Sequence, residues 1–288
     1  MKLALGTAQF GMNYGIANLI GRTSVQEVEI ILHQALLYGI DTLDTAIAYG
    51  ESESVLGQLG IGNWKTITKL PVVPNNCSGV AHWVRDQIKQ SMERLGVPHL
   101  YGVLLHRPRQ LLDCVGPFLY AALQDLKDEG KVHKIGVSVY CLSELEEIFN
   151  AYSLDIVQAP FNILDRSLVL SGLASRLRAA GIEVHARSVF LQGLLLMSPS
   201  QRPAKFNRWG DIWNVWDGWL AREGVTPLEG CLRYVCNSFE IDTVVVGVNT
   251  SAQLNEIVKS ADGQLFSLPD FSTLKDARLI NPASWSQI

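Results

Sequence analysis

Short apolar runs recur eight times along this chain, each followed by a stretch with helical spacing. The runs are LALGT (3–7), DTLDTA (41–46), TITKL (66–70), YGVLLH (101–106), KIGVSV (134–139), IVQAPF (156–161), EVHARSV (183–189) and TVVVGV (243–248). Most are short and rich in Val, Ile, Leu and Thr, as buried strands are. Between the first two, Ser24 to Tyr38 carries apolar residues at 25, 28, 31, 32, 35 and 36. Ser24-x-x-Glu27 reads as a capping box there, and Gly39 as the stop. Val80–Leu95 before Gly96, Leu111–Glu129 before Gly130 and Leu173–Ala180 before Gly181 follow the same logic. Ser52–Leu59, Ser143–Ala151, Pro227–Phe239 and Ser251–Lys259 complete the predicted helices.

Strand and helix alternating eight times predict parallel strands joined by helical crossovers. Eight such units predict an α/β fold, a (β/α)₈ TIM barrel, as one domain over 1–288. A doubly wound sheet would place G-x-G-x-x-G after an early strand. The glycines at 6, 11, 15 and at 57, 60, 62 do not fit that pattern, and no Walker loop, HExxH or GxSxG is present.

Composition narrows the function classes. A net charge of −4 argues against a nucleic-acid surface. No apolar run has the length of a membrane span. The segment MKLALGTAQFG breaks at Gly6, which makes a poor secretory signal, so a cytoplasmic location is expected. Five scattered cysteines without a CxxC fit a reducing compartment and no zinc site. His33, His82, His99, His133 and His185 have no metal-ligand spacing, so no metal is expected. A monomer or small homo-oligomer is the expected state.

Barrels of this type place chemistry at the C-terminal ends of their strands. Asp44, Lys69 and His106 close strands two, three and four, and Tyr49 lies five residues beyond Asp44. Ser138, Gln158, Arg187, Ser188 and Asn249 follow on strands five to eight. A lysine emerging from a buried strand needs a counter-ion, and Asp44 can supply it. A lysine ammonium beside a tyrosine stabilises a phenolate and makes the phenol a usable acid. A histidine one strand further can hydrogen-bond a carbonyl oxygen. Such a set moves a proton to or from an oxygen while another change occurs at carbon.

The segments GIDTLDTAIAYGESESVLG, ITKL, LLHRP, IGVS, VQAPFNILDR and VVVGVNTSAQLNEI, in this order, resemble the aldo-keto reductase superfamily. The resemblance runs from about Leu3 to about Lys259. It implies a barrel enzyme that reduces an aldehyde or ketone with a nicotinamide cofactor. Asp44, Tyr49, Lys69 and His106 match the family's catalytic tetrad. Ser138 and Gln158 are implied to hold the nicotinamide carboxamide. Ser188, Leu191 and Gly193 fall in the pyrophosphate loop, and Gly247, Asn249, Thr250 and Gln253 at the adenosine end.

The chain departs from the family in three places. Val139 stands where many members have Asn, and Arg187 where many have an aromatic ring that stacks on the nicotinamide. No Lys or Arg occurs between 234 and 258, where cations usually meet a 2′-phosphate. NADP(H) is the cofactor expected from family habit, with NAD(H) open. The resemblance implies a small-molecule carbonyl substrate, and GTAQFGMNYGIAN resembles a bacterial branch linked to sugar and surface-polysaccharide metabolism. Two alternatives stand beside this reading. One is a cofactor-sensing barrel with vestigial catalysis, and the other is the same chemistry run as alcohol oxidation.

Other residues fit blander roles. Glu51 and Glu53 read as charge at a helix N-terminus, and Arg166 as a structural ion pair with Asp165 or a neighbour. Trp209, Trp213, Trp216 and Trp219 share one helical face, which fits either a helix laid on the barrel or a wall of the substrate pocket. The surplus length lies in two places, the loop after strand seven (190–225) and the tail (261–288). Both are expected to shape the pocket.

Overall fold

In the computed structural model, which describes residues 2–265, 267–274 and 276–288, the strands and helices alternate as the sequence predicts. The first half runs β1 (Leu3–Gly6), α1 (Ala8–Gly11), α2 (Val25–Leu37), β2 (Thr42–Asp44), α3 (Ser52–Leu59), β3 (Lys65–Leu70), α4 (Val80–Leu95), β4 (Leu100–Leu105) and α5 (Gly116–Asp128). The second runs β5 (Val132–Ser138), α6 (Leu142–Ala151), β6 (Ile156–Pro160), α7 (Ser167–Leu170), α8 (Leu173–Ala179), β7 (Glu183–Arg187), α9 (Gly210–Glu223), α10 (Pro227–Cys236), β8 (Thr243–Gly247) and α11 (Ser251–Ser260). The strands pair in parallel in chain order, and β8 closes on β1 to complete a (β/α)₈ barrel.

The main core lies between the sheet and the helices, where Val28, Ile31, Val84, Ile88, Leu123 and Leu145 are buried against the strands. A second, smaller apolar layer of Ile67, Leu104 and Ile156 fills the barrel interior. Gly102 makes room for it, because a Cβ there would sit 3.0 Å from Ile156 Cδ1. The two-residue period of a strand then sorts the interior into layers. On β3, Lys65, Ile67 and Lys69 share one face; on β7, Glu183, His185 and Arg187 do. The floor is therefore polar, the middle apolar and the upper rim polar.

At the floor, Glu183 accepts hydrogen bonds from Tyr101 (2.8 Å) and Lys134 (2.5 Å) and lies 3.3 Å from His185 Nε2. Burial pushes its carboxyl up, but the bonds from His185, Lys134 and Tyr101 outweigh burial and hold it at about 2. His185 thus faces the floor rather than the rim.

Several local expectations change. The helix expected from Leu111 starts only at Gly116, behind a 3₁₀ turn at Pro108–Leu112. Pro117, which cannot donate, fits a helix's first turn, so it marks the start. Ser24 caps α2, but Glu27 does not close the box, because its carboxylate accepts Ser251 N–H (2.6 Å) at the start of α11. Glu53 is buried and accepts from Thr68, Ser91 and Arg94, tying α3 to β3 and α4. Arg166 makes no ion pair with Asp165; it donates to the carbonyls of Ile163 and Pro269 and lies over the Tyr234 ring.

The tryptophan face is core. Trp213, Trp216 and Trp219 are buried, and their indole N–H groups reach Phe206 O, Leu195 O and Ser267 Oγ. Described residues of the C-terminal tail bind this same region. Trp285 packs edge-on against Phe206, and Lys205 donates to Trp285 O. Arg202, on the same loop, is bonded to Asp217.

Candidate active site

The rim is built from side chains that close the strands. Lys69 Nζ donates to Asp44 Oδ2 (2.5 Å) and to Thr45 O (2.9 Å), and both ion-pair partners are buried. Burial works against the Lys69 ammonium, but the Asp44 charge and the bonds to Asp44 and Tyr49 outweigh it and raise its pKa. Asp44 thus offsets the cost of burying the Lys69 ammonium.

The other Asp44 oxygen accepts from Gln158 Nε2 (2.7 Å), and Gln158 Oε1 accepts from Ser138 Oγ (2.9 Å). Register explains the second bond, since Ser138 pairs directly with Gln158 across β5 and β6. Satisfied buried networks of this kind hold each member in one rotamer.

Tyr49 lies above this network. Its ring centroid is 5.0 Å from Lys69 Nζ and 5.8 Å from the His106 ring, which meets it edge-on at 82°. Burial and the Lys69 charge push the His106 imidazole down to about 4; Asp44 opposes this, and Arg107 and Arg187 add to it. His106 is thus neutral near pH 7 and offers an uncharged N–H. Tyr14 sits in the same cavity, and its phenol is pushed up by burial and by the nearby Tyr49 and Tyr140 against the opposing Arg187 and Lys69 charges.

A cleft of about 340 Å³ extends from this set across the rim. Its middle is bounded by the loop after β7, where Ser188 (φ 60°), Leu191 (φ 49°) and Gln192 (φ 55°) have left-handed backbones. Among the described residues these are the non-glycine residues with positive φ, and all fall in one loop. Such strain concentrates at ligand clamps, and left-handed turns orient backbone N–H groups into anion-binding concavities. Gly193 (φ 89°) follows, and a Cβ on it would lie 2.4 Å from Ala17 Cβ. The β1 and β7 loops therefore touch over the cleft. At the cleft floor, a Cβ on Gly247 would lie 2.5 Å from Gln9 Nε2.

The cavity brings together Asp44, Tyr49, His106, Ser138, Gln158, Arg187, Ser188, Gly193, Gly247, Asn249 and Gln253. Lys69 lies beneath it. Leu191 and Thr250 do not line it. Leu191 is buried in the core and bends the loop, and Thr250 Oγ1 accepts Gln253 N–H to cap α11. Arg187 lies over the Tyr140 ring (4.0 Å) and donates to Val139 O (2.6 Å) and Ser188 Oγ (3.1 Å). The surplus loop contributes only residues near its start, Phe190, Gln192, Gly193 and Leu196, and no described tail residue lines the cavity. Glu51, which is exposed, pairs with Arg22.

Gln9 of α1 and Tyr14, Gly15, Ala17 and Asn18 of the loop after it, with Tyr140 and Gln192, also line the cleft and are absent from the sequence-derived set. The available signal was length: residues 7–24 make a long strand-to-helix connection, on the rim where barrels build sites.

The chain matches the model of the Aldo/keto reductase family over residues 2–278. The NADH-specific methylglyoxal reductase of Escherichia coli (strain K12) is 30% identical over 192 residues, 54% of this chain and 54% of that protein. The aflatoxin B1 aldehyde reductase member 2 of Rattus norvegicus is 33% identical over 170 residues, 54% of this chain and 46% of that protein. The chain thus spans about half the length of these curated relatives. A solved aldo-keto reductase from Bacillus halodurans, in its holo form, superposes with a TM-score of 0.72 at 18% identity, covering 92% of this chain and 88% of that one. At that identity the likeness is one of fold.

Proposed function

This chain belongs to the aldo/keto reductase family, and we propose that it reduces a small aldehyde or ketone, foremost a sugar-derived carbonyl, with NAD(P)H. The observation that carries this reading is the buried Lys69–Asp44 pair beneath Tyr49, with a neutral His106 at its edge.

The cleft fits an extended dinucleotide. Ser138 and Gln158 offer amide and hydroxyl groups beside Tyr49, the left-handed β7 loop offers backbone N–H groups to a pyrophosphate, and the start of α11 closes the far end. A nicotinamide held there would supply a hydride to the carbonyl carbon. Tyr49 gives its hydroxyl proton to the carbonyl oxygen. Lys69, kept charged by Asp44, stabilises the phenolate left behind. His106 donates its neutral N–H to the same oxygen and fixes the carbonyl's orientation. Tyr14 and Tyr140 line the same cleft.

Tyr49→Phe tests this directly. Turnover on a carbonyl panel should vanish while cofactor binding, followed by fluorescence, stays near normal. Full retained activity would remove Tyr49 from its role.

A further inference from the structure

The Tyr49 end of the cleft carries a positive charge that the proton chemistry does not use. The charged lining residues there are Asp44, which Lys69 offsets from beneath, and Arg187. Arg187 is half-buried at the end of β7. Its guanidinium spends two of its five N–H groups, on Val139 O (2.6 Å) and Ser188 Oγ (3.1 Å). Both acceptors are uncharged, and among the described residues Arg187 enters no ion pair.

A second arginine stands beside it. Arg107 follows His106 directly and is exposed. Its guanidinium lies 5.1 Å from the Tyr140 ring centroid, and that of Arg187 lies 4.0 Å from the same ring. Stacking on an aromatic ring orients a guanidinium and leaves its edge open to bond an anion. Arg107 also enters no ion pair among the described residues. Two carboxylates feel these charges without pairing with them: Asp165, which is bonded to Ser167, and Glu144 on α6, which also faces Arg109. Like charges gathered on one ring repel, and a bound anion relieves that repulsion. Both charges reach His106, so the pair stands on the His106 side of the site.

We propose that the substrate carbonyl compound carries an anionic group, a carboxylate or a phosphate, and that Arg187 and Arg107 bind it beside Tyr140. The proposal rests on the carbonyl reduction inferred above and names the substrate class for it. Arg187 makes the inner contact from the cleft, and Arg107 adds charge from the mouth. Both select and position the substrate, and neither touches the reacting atoms.

The test is steady-state kinetics on aldehyde pairs matched except for charge. 4-Carboxybenzaldehyde against its methyl ester reads a carboxylate, and glyceraldehyde 3-phosphate against glyceraldehyde reads a phosphate. In at least one pair the anionic member should have the higher kcat/KM, by about tenfold or more at low salt. The pair that shows it tells carboxylate from phosphate. The advantage should shrink as salt is raised. Arg187→Gln should lower the anionic-to-neutral ratio by about tenfold and Arg107→Gln by about threefold, both mainly through KM. A merely structural role would lower both members alike and leave the ratio unmoved.

Neutral members that match or exceed their anionic partners in both pairs overturn the anion preference. A ratio unchanged in both variants overturns the role of the arginines. A cofactor Kd weakened by Arg187→Gln at an unchanged ratio assigns Arg187 to the cofactor instead, and also overturns the proposal. Turnover of no aldehyde would remove the reduction itself; calorimetric titration of the whole chain with the same pairs then reads the preference as a ratio of Kd, with the same outcomes.

Discussion

Replacing Lys69 by methionine separates the chemical from the structural role of the buried pair. The ammonium lies 5.0 Å from the Tyr49 ring centroid. At that separation and an effective dielectric of about 20, the attraction between Lys69 and a phenolate is about 3 kcal/mol. Losing it from the transition state should lower kcat by about 10²- to 10³-fold. The same change leaves Asp44, a buried carboxylate, with Gln158 as its side-chain donor. An uncompensated buried charge costs about 3–5 kcal/mol of stability. The double variant Lys69→Met/Asp44→Asn removes both charges. It should recover much of the stability and none of the rate, and it carries the test if the single variant does not fold. Steady-state kinetics at saturating cofactor read the first effect, and denaturant unfolding reads the second. A single variant with kcat within tenfold of the native value, or a double variant that regains the rate, would refute the reasoning.

Other outcomes follow from the same geometry. With its imidazole at about 4, His106 should impose no acid limb near pH 6.5 on kcat/KM, and the fall should appear close to pH 4; a break near 6.5 that His106→Gln abolishes would contradict this. Gly193→Ala forces a methyl group against Ala17 at a φ of 89°, so it should cost about 1–3 kcal/mol and weaken nucleotide binding. Ala17→Gly in that background should restore part of the affinity, and no restoration would deny the contact between the two loops. Glu183 has a folded pKa of about 2 against an ordinary 4.5, so the folded state binds its proton more weakly. Its contribution, about 3 kcal/mol, is complete above about pH 4.5 and lost as pH falls toward 2. Glu183→Gln should flatten that part of the acid-stability curve measured by denaturation.

How much of this was visible in the chain follows from how local each cause is. The strands stand out because Val, Ile and Thr at β spacing, bounded by Gly, act over five or six residues. The ends of α4 and α5 stand out because Gly96 and Gly130 take left-handed backbones at their stops. The order Asp44, Tyr49, Lys69, His106 was readable because strand ends in a barrel share one rim. The exceptions were set by distant neighbours. Ser24-x-x-Glu27 spells a capping box, yet Glu27 is drawn off by Ser251, 224 residues away. The tryptophan spacing in α9 defines a face, but only Phe206, Leu195 and Ser267 decide that the face is core.

The sequence by itself therefore determined the barrel, the order of its elements and the four rim residues beside one another. Tertiary structure decided what those residues do to each other: that Gln158 and Lys69 divide the two oxygens of Asp44, that Arg187 leans on Tyr140, and that the first loop closes on Gly193. Periodicity records the direction a side chain takes from its own backbone. Pairing and burial depend on partners brought close by folding, and no local pattern encodes those.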